Sequence, residues 1–306
     1  MTVGQKNTRS SSHNNGLTAW LFLAPSISLL LIFTFYPIIC GTVLAFCDFS
    51  LLRYTPEGAL QPPRWCGVDN FSRLSHDRYF WLALRHSCMY LLIVPVLQLS
   101  SILVAFLLSR QGALSSFWRT ALYLPVVTSA VCAGIIWRWV LRSDGAMNVL
   151  LQSGGCSAVP WLTDPDWAML SVMLVTFWQG LGYYMILYLA GLQAILPEYA
   201  EAASLDGASA VQIFFRITLP LLKPSIALCT MLSCVSALKV FTEIYVITGG
   251  GPRNGTLTLA YYVYQRAFES FDMGYAAAMA LCLAAVVGLV SLINYALFRE
   301  GGIRYY

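Results

Sequence analysis

Six long apolar segments separated by polar loops constrain the fold of this chain more than any other feature. Each is long enough to cross the hydrocarbon core of a bilayer, which takes about 20 mostly apolar residues. Backbone polar groups find no water in lipid, so each segment is predicted to be helical. The sequence therefore predicts an all-α polytopic membrane protein with six transmembrane helices. The segments are 17–40, 88–108, 120–140, 167–192, 224–247 and 275–298.

The composition excludes an ordinary soluble protein. Of the 306 residues, 58% are hydrophobic and 10% are charged, whereas soluble domains carry about 25% charged residues. The first apolar segment is longer than the roughly 7–15 apolar residues of a cleavable signal peptide. We therefore interpret it as a retained first span.

The charge distribution predicts how the chain is oriented. Six spans place both termini on one side, and lysine and arginine are denser in the loops of that side. Positive residues mark cytoplasmic loops, so both termini are predicted to be cytoplasmic. The predicted organisation is a cytoplasmic tail over 1–16, a transmembrane domain over 17–298 with a long inner loop at 193–223, and a cytoplasmic tail over 299–306.

Sequence signatures of catalysis are missing. The chain has neither a G-x-x-x-x-G-K-[ST] phosphate loop nor H-E-x-x-H, and its three histidines lie outside the apolar segments. No C-x-x-C pair suggests a metal site. We predict no catalytic residue, no metal and no nucleic-acid partner, and a lipid bilayer as the surroundings.

The stretch "EYAEAASLDGASAVQIFFRITLPLLKP" within and after the loop 193–223 is too polar for lipid. Pro197 suits a helix start, and Asp206 followed by Gly207 predicts a break, because glycine adopts backbone conformations closed to other residues. A second helix is predicted from the spacing of Val211, Phe214, Phe215 and Thr218. The pattern indicates a water-exposed helix–turn–helix built for contact, or alternatively a structured connecting loop.

The same stretch resembles the EAA signature of bacterial ABC-transporter permeases. Glu201, Ala202 and Ala203 are followed by Gly207 and then by Ile217-Thr218-Leu219-Pro220. "FTEIYVITGGGPRNGT" and "RAFESFDMGYAAAM" extend the resemblance to carbohydrate-uptake permeases of the maltose and glycerol-phosphate type. The likeness runs over nearly the whole chain from about Leu17.

This resemblance implies a type I ABC-importer permease fold in a bacterial inner membrane. It further implies a second homologous permease, two ATPase subunits and an extracytoplasmic substrate-binding protein as partners. ATP and magnesium would be bound by the ATPase, so this chain is expected to hold no cofactor and to be no enzyme. The residues implied to couple to the ATPase are Glu201, Ala202, Ala203, Asp206, Gly207, Ile217, Leu219 and Pro220.

The resemblance also implies a substrate cavity lined by the fourth and fifth spans. The segment "FWQGLGYYM" combines glycines, an amide and aromatic rings, and sugar rings stack on aromatic faces. A glycine pair for helix packing is the alternative. Gln179 and Ser236 depart from the maltose-type pattern, so we expect another sugar, oligosaccharide, polyol or glycoside. The predicted substrate-binding residues are Trp178, Gln179, Gly180, Tyr183, Ser233 and Ser236.

Four of the remaining polar and sulfur-bearing residues carry separate predictions. Lys239 and Glu243 lie four apart in the fifth apolar segment, where charges are costly and suggest function. They are predicted to form a local ion pair or to bind sugar, and an ion-coupled secondary transporter using them is the rival function. Cys66 and Cys156 in outer loops are expected as unpaired thiols, with a disulfide as the alternative.

Overall fold

The protein is an all-α polytopic membrane protein. A computed structural model describes residues 11–109 and 114–299, and the predicted tails 1–16 and 299–306 lie outside them except for 11–16 and Arg299. Four helical stretches in these ranges are long and apolar enough to cross a membrane, and two bent helix pairs raise the number to six. The four stretches are Ala19–Leu44, Arg78–Ser109, Pro165–Gln193 and Met273–Arg299.

The helices follow one another along the chain, and π-helical turns interrupt several of them. The α-helices are α1 Ser11–Leu30, α2 Tyr36–Leu44, α3 Asp69–His76, α4 Arg78–Tyr90, α5 Ile93–Ser109, α6 Leu114–Val127, α7 Ala130–Val140, α8 Ala146–Ser153, α9 Pro165–Gln193, α10 Pro197–Leu205, α11 Ala210–Ile213, α12 Leu219–Leu221, α13 Lys223–Leu238, α14 Leu259–Tyr264 and α15 Met273–Arg299. The π-helical turns are Leu31–Phe35, Phe214–Thr218, Ile244–Thr248 and Gln265–Glu269. A short antiparallel hairpin pairs β1 Cys47–Asp48 with β2 Arg64–Trp65.

The third predicted span is not the straight helix expected over 120–140. The chain turns through 96° between Ser116–Val127 and Ala130–Val140. Ser129 takes φ −54° and ψ 130°, which is not helical. A sharp bend of this kind frees backbone carbonyls that need other partners, and one of them is taken up at the candidate site described below.

The fifth predicted span, 224–247, also ends early. Helix α13 stops at Leu238, and Lys239 leaves helical geometry with ψ 13°. The hydroxyl of Thr258 donates to the carbonyl of Val240 at 3.2 Å. That bond comes from a loop distant in sequence, so the helical pattern alone gave no sign of the break.

Two apolar clusters hold the helices together around α9. The outer cluster centres on Tyr90, Val172 and Ile244, and the inner one on Leu97 and Tyr188. Inside the second cluster the hydroxyl of Tyr188 donates to Gln98 at 2.6 Å, and the Gln98 amide donates to Ser233 at 2.8 Å. This buried chain of hydrogen bonds links α9, α5 and α13.

A second polar network ties helix ends together on the side where α4, α14 and α15 begin. Asp77, which caps α4, accepts hydrogen bonds from the hydroxyls of Tyr262 at 2.7 Å and Tyr275 at 2.6 Å. Arg266 donates two more to the Tyr262 oxygen. One carboxylate thereby joins the beginnings of α4 and α15 to α14.

The two loop cysteines are unpaired. Cys66 donates a weak hydrogen bond to the Phe46 carbonyl at 3.4 Å, and Cys156 is exposed. The structure therefore agrees with the expectation that both are free thiols.

Candidate functional site

A cavity of about 360 Å³ lies between α5, α9 and α13. It brings together most of the side chains that the sequence singled out for substrate. Five of the six predicted substrate residues line it, and Glu243 joins them. Those five are Gln179, Gly180, Tyr183, Ser233 and Ser236.

Gln179 and Tyr183 lie one helical turn apart on α9 and line the cavity together. The Gln179 amide donates to the Thr128 carbonyl at 3.2 Å, which satisfies a group freed by the bend between α6 and α7. Tyr183 is 41% exposed, and its ring meets that of Tyr184 edge-on at 5.1 Å. The cavity thus offers an accessible aromatic ring next to an amide oxygen, a combination suited to a sugar ring with hydroxyls.

The glycines of α9 allow close packing of helices, which is the alternative interpretation given above for "FWQGLGYYM". A Cβ atom added at Gly180 would lie 3.2 Å from Leu97, and one at Gly182 would overlap the backbone of Leu122. Small residues let helices approach closely. Gly180 has both features, because it also lines the cavity.

Trp178 does not line the cavity. Its ring packs edge-on against Trp137 of α7, with centroids 5.5 Å apart. Adjacent helix positions point about 100° apart, so Trp178 and Gln179 serve different faces. The structure places Trp178 in the contact between α9 and the second half of the bent pair.

The two serines differ in what they can offer a ligand. Ser233 is 3% exposed, accepts from Gln98 and donates to the Thr230 carbonyl at 3.0 Å. Ser236 is exposed, and its hydroxyl makes no hydrogen bond within the ranges 11–109 and 114–299. Ser236 is therefore the hydroxyl with free capacity.

Lys239 and Glu243 are separated by the end of α13. Glu243 lines the cavity, whereas Lys239 does not. The three ion pairs found among the residues that the structure describes involve neither of them. The predicted local ion pair is wrong, because the helical geometry that would have placed both on one face stops at Leu238.

The sequence did not identify the apolar wall of the cavity or the hydroxyl of Thr176. Ile93, Val94 and Leu97 of α5 form the wall opposite α9, together with Leu232. Thr176 lines the cavity and hydrogen-bonds to the Tyr90 hydroxyl at 2.5 Å. An apolar residue facing a cavity has the same sequence pattern as one facing lipid, so no signal could have identified the wall.

The predicted helix–turn–helix is present at 197–221. At the end of α10, Gly207 donates to the Ser204 carbonyl at 3.1 Å, and Ala208 donates to Ala203 at 2.9 Å. Gly207 has φ +81°. These two bonds and the left-handed glycine are the Schellman arrangement that ends helices, so the predicted glycine break is confirmed.

The next helix begins with a second local device. Ser209 and Gln212 form a reciprocal capping box, with bonds of 3.4 and 2.7 Å. Such a box satisfies free backbone donors at a helix start. The turn between α10 and α11 is thereby fixed by local hydrogen bonds on both sides.

Apolar side chains are exposed on this polar segment, which we call the coupling segment (197–221) after the role that the sequence resemblance implies. Leu205 is 90% exposed, and Tyr199, Val211 and Phe215 are also exposed. On the other face, Phe214 packs against Phe106 of α5, with ring centroids 4.4 Å apart. Contiguous exposed apolar side chains mark interaction surfaces.

The predicted coupling residues are distributed over both faces of this segment. Glu201, Ala202, Asp206, Gly207 and Pro220 are exposed, while Ala203, Ile217 and Leu219 are partly buried. Leu219 packs against the inner apolar cluster.

In the described part of the chain, no group of three His, Cys, Asp or Glu residues is placed to hold a metal ion.

Comparison with known proteins finds relatives over nearly the full length. A family model described as "Binding-protein-dependent transport system inner membrane component" matches residues 75–300. The "Probable ABC transporter permease protein YesP" of Bacillus subtilis (strain 168) is 36% identical, over 95% of this chain and 93% of its own length. The "Lactose transport system permease protein LacF" of Rhizobium radiobacter is 35% identical, over 93% and 95%.

A solved structure shares the fold. The bacterial alginate ABC transporter in complex with an alginate pentasaccharide-bound periplasmic protein contains a chain with 25% identity and a TM-score of 0.81. The match covers 96% of this chain and 98% of that chain.

Proposed function

The chain belongs to the family of binding-protein-dependent transport system inner membrane components, and from this we propose that it forms half of a sugar pathway in an ABC importer. The proposed cargo is a sugar, an oligosaccharide, or a related polyol or glycoside. The names of the relatives support the carbohydrate class, since one is a lactose permease and another belongs to an alginate transporter.

The observation that carries this proposal is the cavity between α5, α9 and α13. Tyr183 supplies an accessible ring, and Gln179, Ser236 and Glu243 supply polar groups around it. Ligand sites combine apolar walls with a few convergent polar groups. A neutral polyhydroxyl compound matches this lining.

The coupling segment supports the second half of the proposal. Its exposed Leu205 and Val211 flank a turn fixed by local hydrogen bonds, and the other face is anchored through Phe214. We propose that a separate ATPase subunit covers this surface, that two ATPases and a second permease complete the transporter, and that a binding protein delivers the cargo. The segment and both termini then lie in the cytoplasm.

Energy coupling proceeds by a difference in affinity. ATP shifts the spans between two arrangements only insofar as the ATPase binds the coupling segment better in one of them. Because α11 and α12 join α13 through a 67° bend at Leu222, we expect movement of the segment to be transmitted to a wall of the cavity.

The test is uptake by the reconstituted transporter with its binding protein. We expect Tyr183→Ala to abolish uptake while assembly and basal ATP hydrolysis persist. Tyr123→Ala is the matched control, because Tyr123 lies on α6 and does not line the cavity. Normal uptake by Tyr183→Ala, or an equal loss in both variants, contradicts the site.

The rival ion-coupled transporter is distinguished by omitting the ATPase. An ABC importer loses uptake completely in its absence. Uptake that persists and depends on an ion gradient supports the rival. Family membership and the exposed coupling segment favour the ABC importer.

A further inference from the structure

A second cavity of about 390 Å³ lies where α13 begins and α15 ends. It is separate from the sugar cavity and shares none of its residues. Lys223 and Arg299 stand at one end, and Leu228, Met231 and Phe298 form apolar walls. The cavity therefore has a positive end and an apolar interior.

The positive charge at this cavity is not neutralised by the described part of the chain. Lys223 and Arg299 are exposed and take part in none of the ion pairs found in residues 11–109 and 114–299. No acidic side chain lines the cavity. Lys223 is also the first residue of the 16-residue helix α13, and helix N-termini favour anions.

A buried amide on the wall points to a ligand independently of the charges. Asn294 lines the cavity and is only 7% exposed, and its side-chain amide makes no hydrogen bond within the described ranges. Buried polar side chains nearly always have a partner, and leaving one without is unfavourable. A group that hydrogen-bonds to Asn294 is expected inside the cavity.

An adjoining apolar cavity gives the ligand its length. It measures about 670 Å³ and shares Lys223 and Phe298 with the cavity at the start of α13. Leu99, Ile102 and Ile226 line it further along the spans. A molecule filling both spaces has a compact anionic head and a long apolar part.

We propose that this pair of cavities binds one anionic phospholipid. Lys223 and Arg299 contact the phosphate, Asn294 hydrogen-bonds to the glycerol–ester region, and an acyl chain follows the apolar cavity. The two cations lie at the ends of membrane-crossing helices, at the headgroup level, where basic pockets between helices recognise anionic lipids. The site adjoins the coupling segment, and Phe215, Leu219 and Pro220 of that segment line the apolar cavity.

Native mass spectrometry of the full chain, with the subunits that co-purify, tests the proposal. Phosphatidylglycerol and phosphatidylcholine with identical acyl chains are the probes. We expect selective retention of phosphatidylglycerol, reduced about tenfold or more in the double variant Lys223→Gln, Arg299→Gln, because each cation near the surface strengthens anionic-lipid binding. Lys239→Gln, at the opposite end of the same helix, should leave retention unchanged.

A second variant distinguishes specific lipid binding from nonspecific attraction of anionic lipids to a positively charged surface. Asn294→Leu removes the unpartnered amide without changing charge, and we expect it to weaken retention while the chain stays folded and monodisperse. Equal retention of both lipids, or retention unaffected by the double variant, overturns the proposal. So does displacement of the lipid by inorganic phosphate alone, or a photocrosslinker at Leu228 that captures a polypeptide instead of lipid.

Discussion

The side-chain amide of Gln179 lies 3.2 Å from the backbone carbonyl of Thr128, to which it donates a hydrogen bond. Thr128 stands at the 96° break between α6 and α7, and Gln179 lines the candidate sugar cavity. One side chain therefore stabilises the bend of the third span and contributes to the site.

Because of this double role, removing the side-chain N–H donor of Gln179 should affect both stability and uptake. Gln179→Glu keeps the size of the side chain but places a carboxyl group opposite the Thr128 carbonyl. We expect Gln179→Ala and Gln179→Glu both to lose uptake, with a stability loss of about 1 kcal/mol, the net value of one hydrogen bond, because the Thr128 carbonyl is only part-buried. Uptake and thermal unfolding, measured on the same preparations, check this. Wild-type uptake in both variants would show that the bend does not need the bond.

Gly207 should be required for coupling beyond its effect on stability. A Cβ in its left-handed conformation costs about 1–2 kcal/mol. Gly58 has the same φ of +81° and equally open surroundings in the loop between β1 and β2. We expect Gly207→Ala to reduce uptake and Gly58→Ala to leave it normal at a similar loss of stability. Equal uptake in the two variants contradicts the coupling assignment.

Stronger changes in the coupling segment should abolish transport altogether. Gly207→Pro removes the N–H that bonds to Ser204 and fixes φ near −65°. Glu201→Lys reverses an exposed charge on α10. We expect both proteins to reach the membrane but to lose uptake and co-purification of the ATPase. Co-purification at the normal level counts against this surface as the ATPase contact.

Glu243 and Lys239 should differ in their effect on sugar affinity. Hydrogen bonds to a charged acceptor are stronger than those to a neutral one, so Glu243→Gln is expected to raise KM about tenfold, in line with the net value of one such bond. Lys239→Gln serves as the comparison, since Lys239 does not line the cavity. A KM shift in Lys239→Gln with none in Glu243→Gln reverses the assignment.

Asp77 should make the outer network sensitive to acid. Partial burial raises the pKa of Asp77, but hydrogen bonds from Tyr275 and Tyr262 outweigh burial and hold its pKa below the usual value. The unfolded chain then binds this proton more readily, so the stabilisation is present above the unfolded pKa of about 3.9 and is lost as pH falls through the folded value.

The corresponding variant is Asp77→Ala. We expect it to cost about 1.5–3 kcal/mol at neutral pH, the value of a hydrogen bond to a charged group, and to flatten the acid limb of the stability curve. Asp144→Ala is the control, because its ion pair with Arg142 is exposed and such pairs contribute little. An acid limb that Asp77→Ala leaves unchanged contradicts the network's role.

The sequence predicted those features that depend on local chemistry. The six apolar segments, the break at Gly207 and the cavity residues of α9 needed only composition, glycine conformation or a family resemblance. The errors arose where residues distant in sequence determine the local structure. Thr258 meets Val240 across 18 residues, and the resulting end of α13 separates Lys239 from Glu243. Trp178 was misplaced because the pattern of α9 does not distinguish its cavity face from the face that packs on α7.

The first helical stretch, Ala19–Leu44, places none of its side chains in the interior of this chain. Neither apolar cluster includes a residue of this stretch, and its second half, α2, contacts α15 and β1. Most of the apolar surface of this helix is therefore left for the bilayer or for a neighbouring subunit, and we expect most exchanges among its exposed apolar residues to leave the folding of the rest of the chain unchanged.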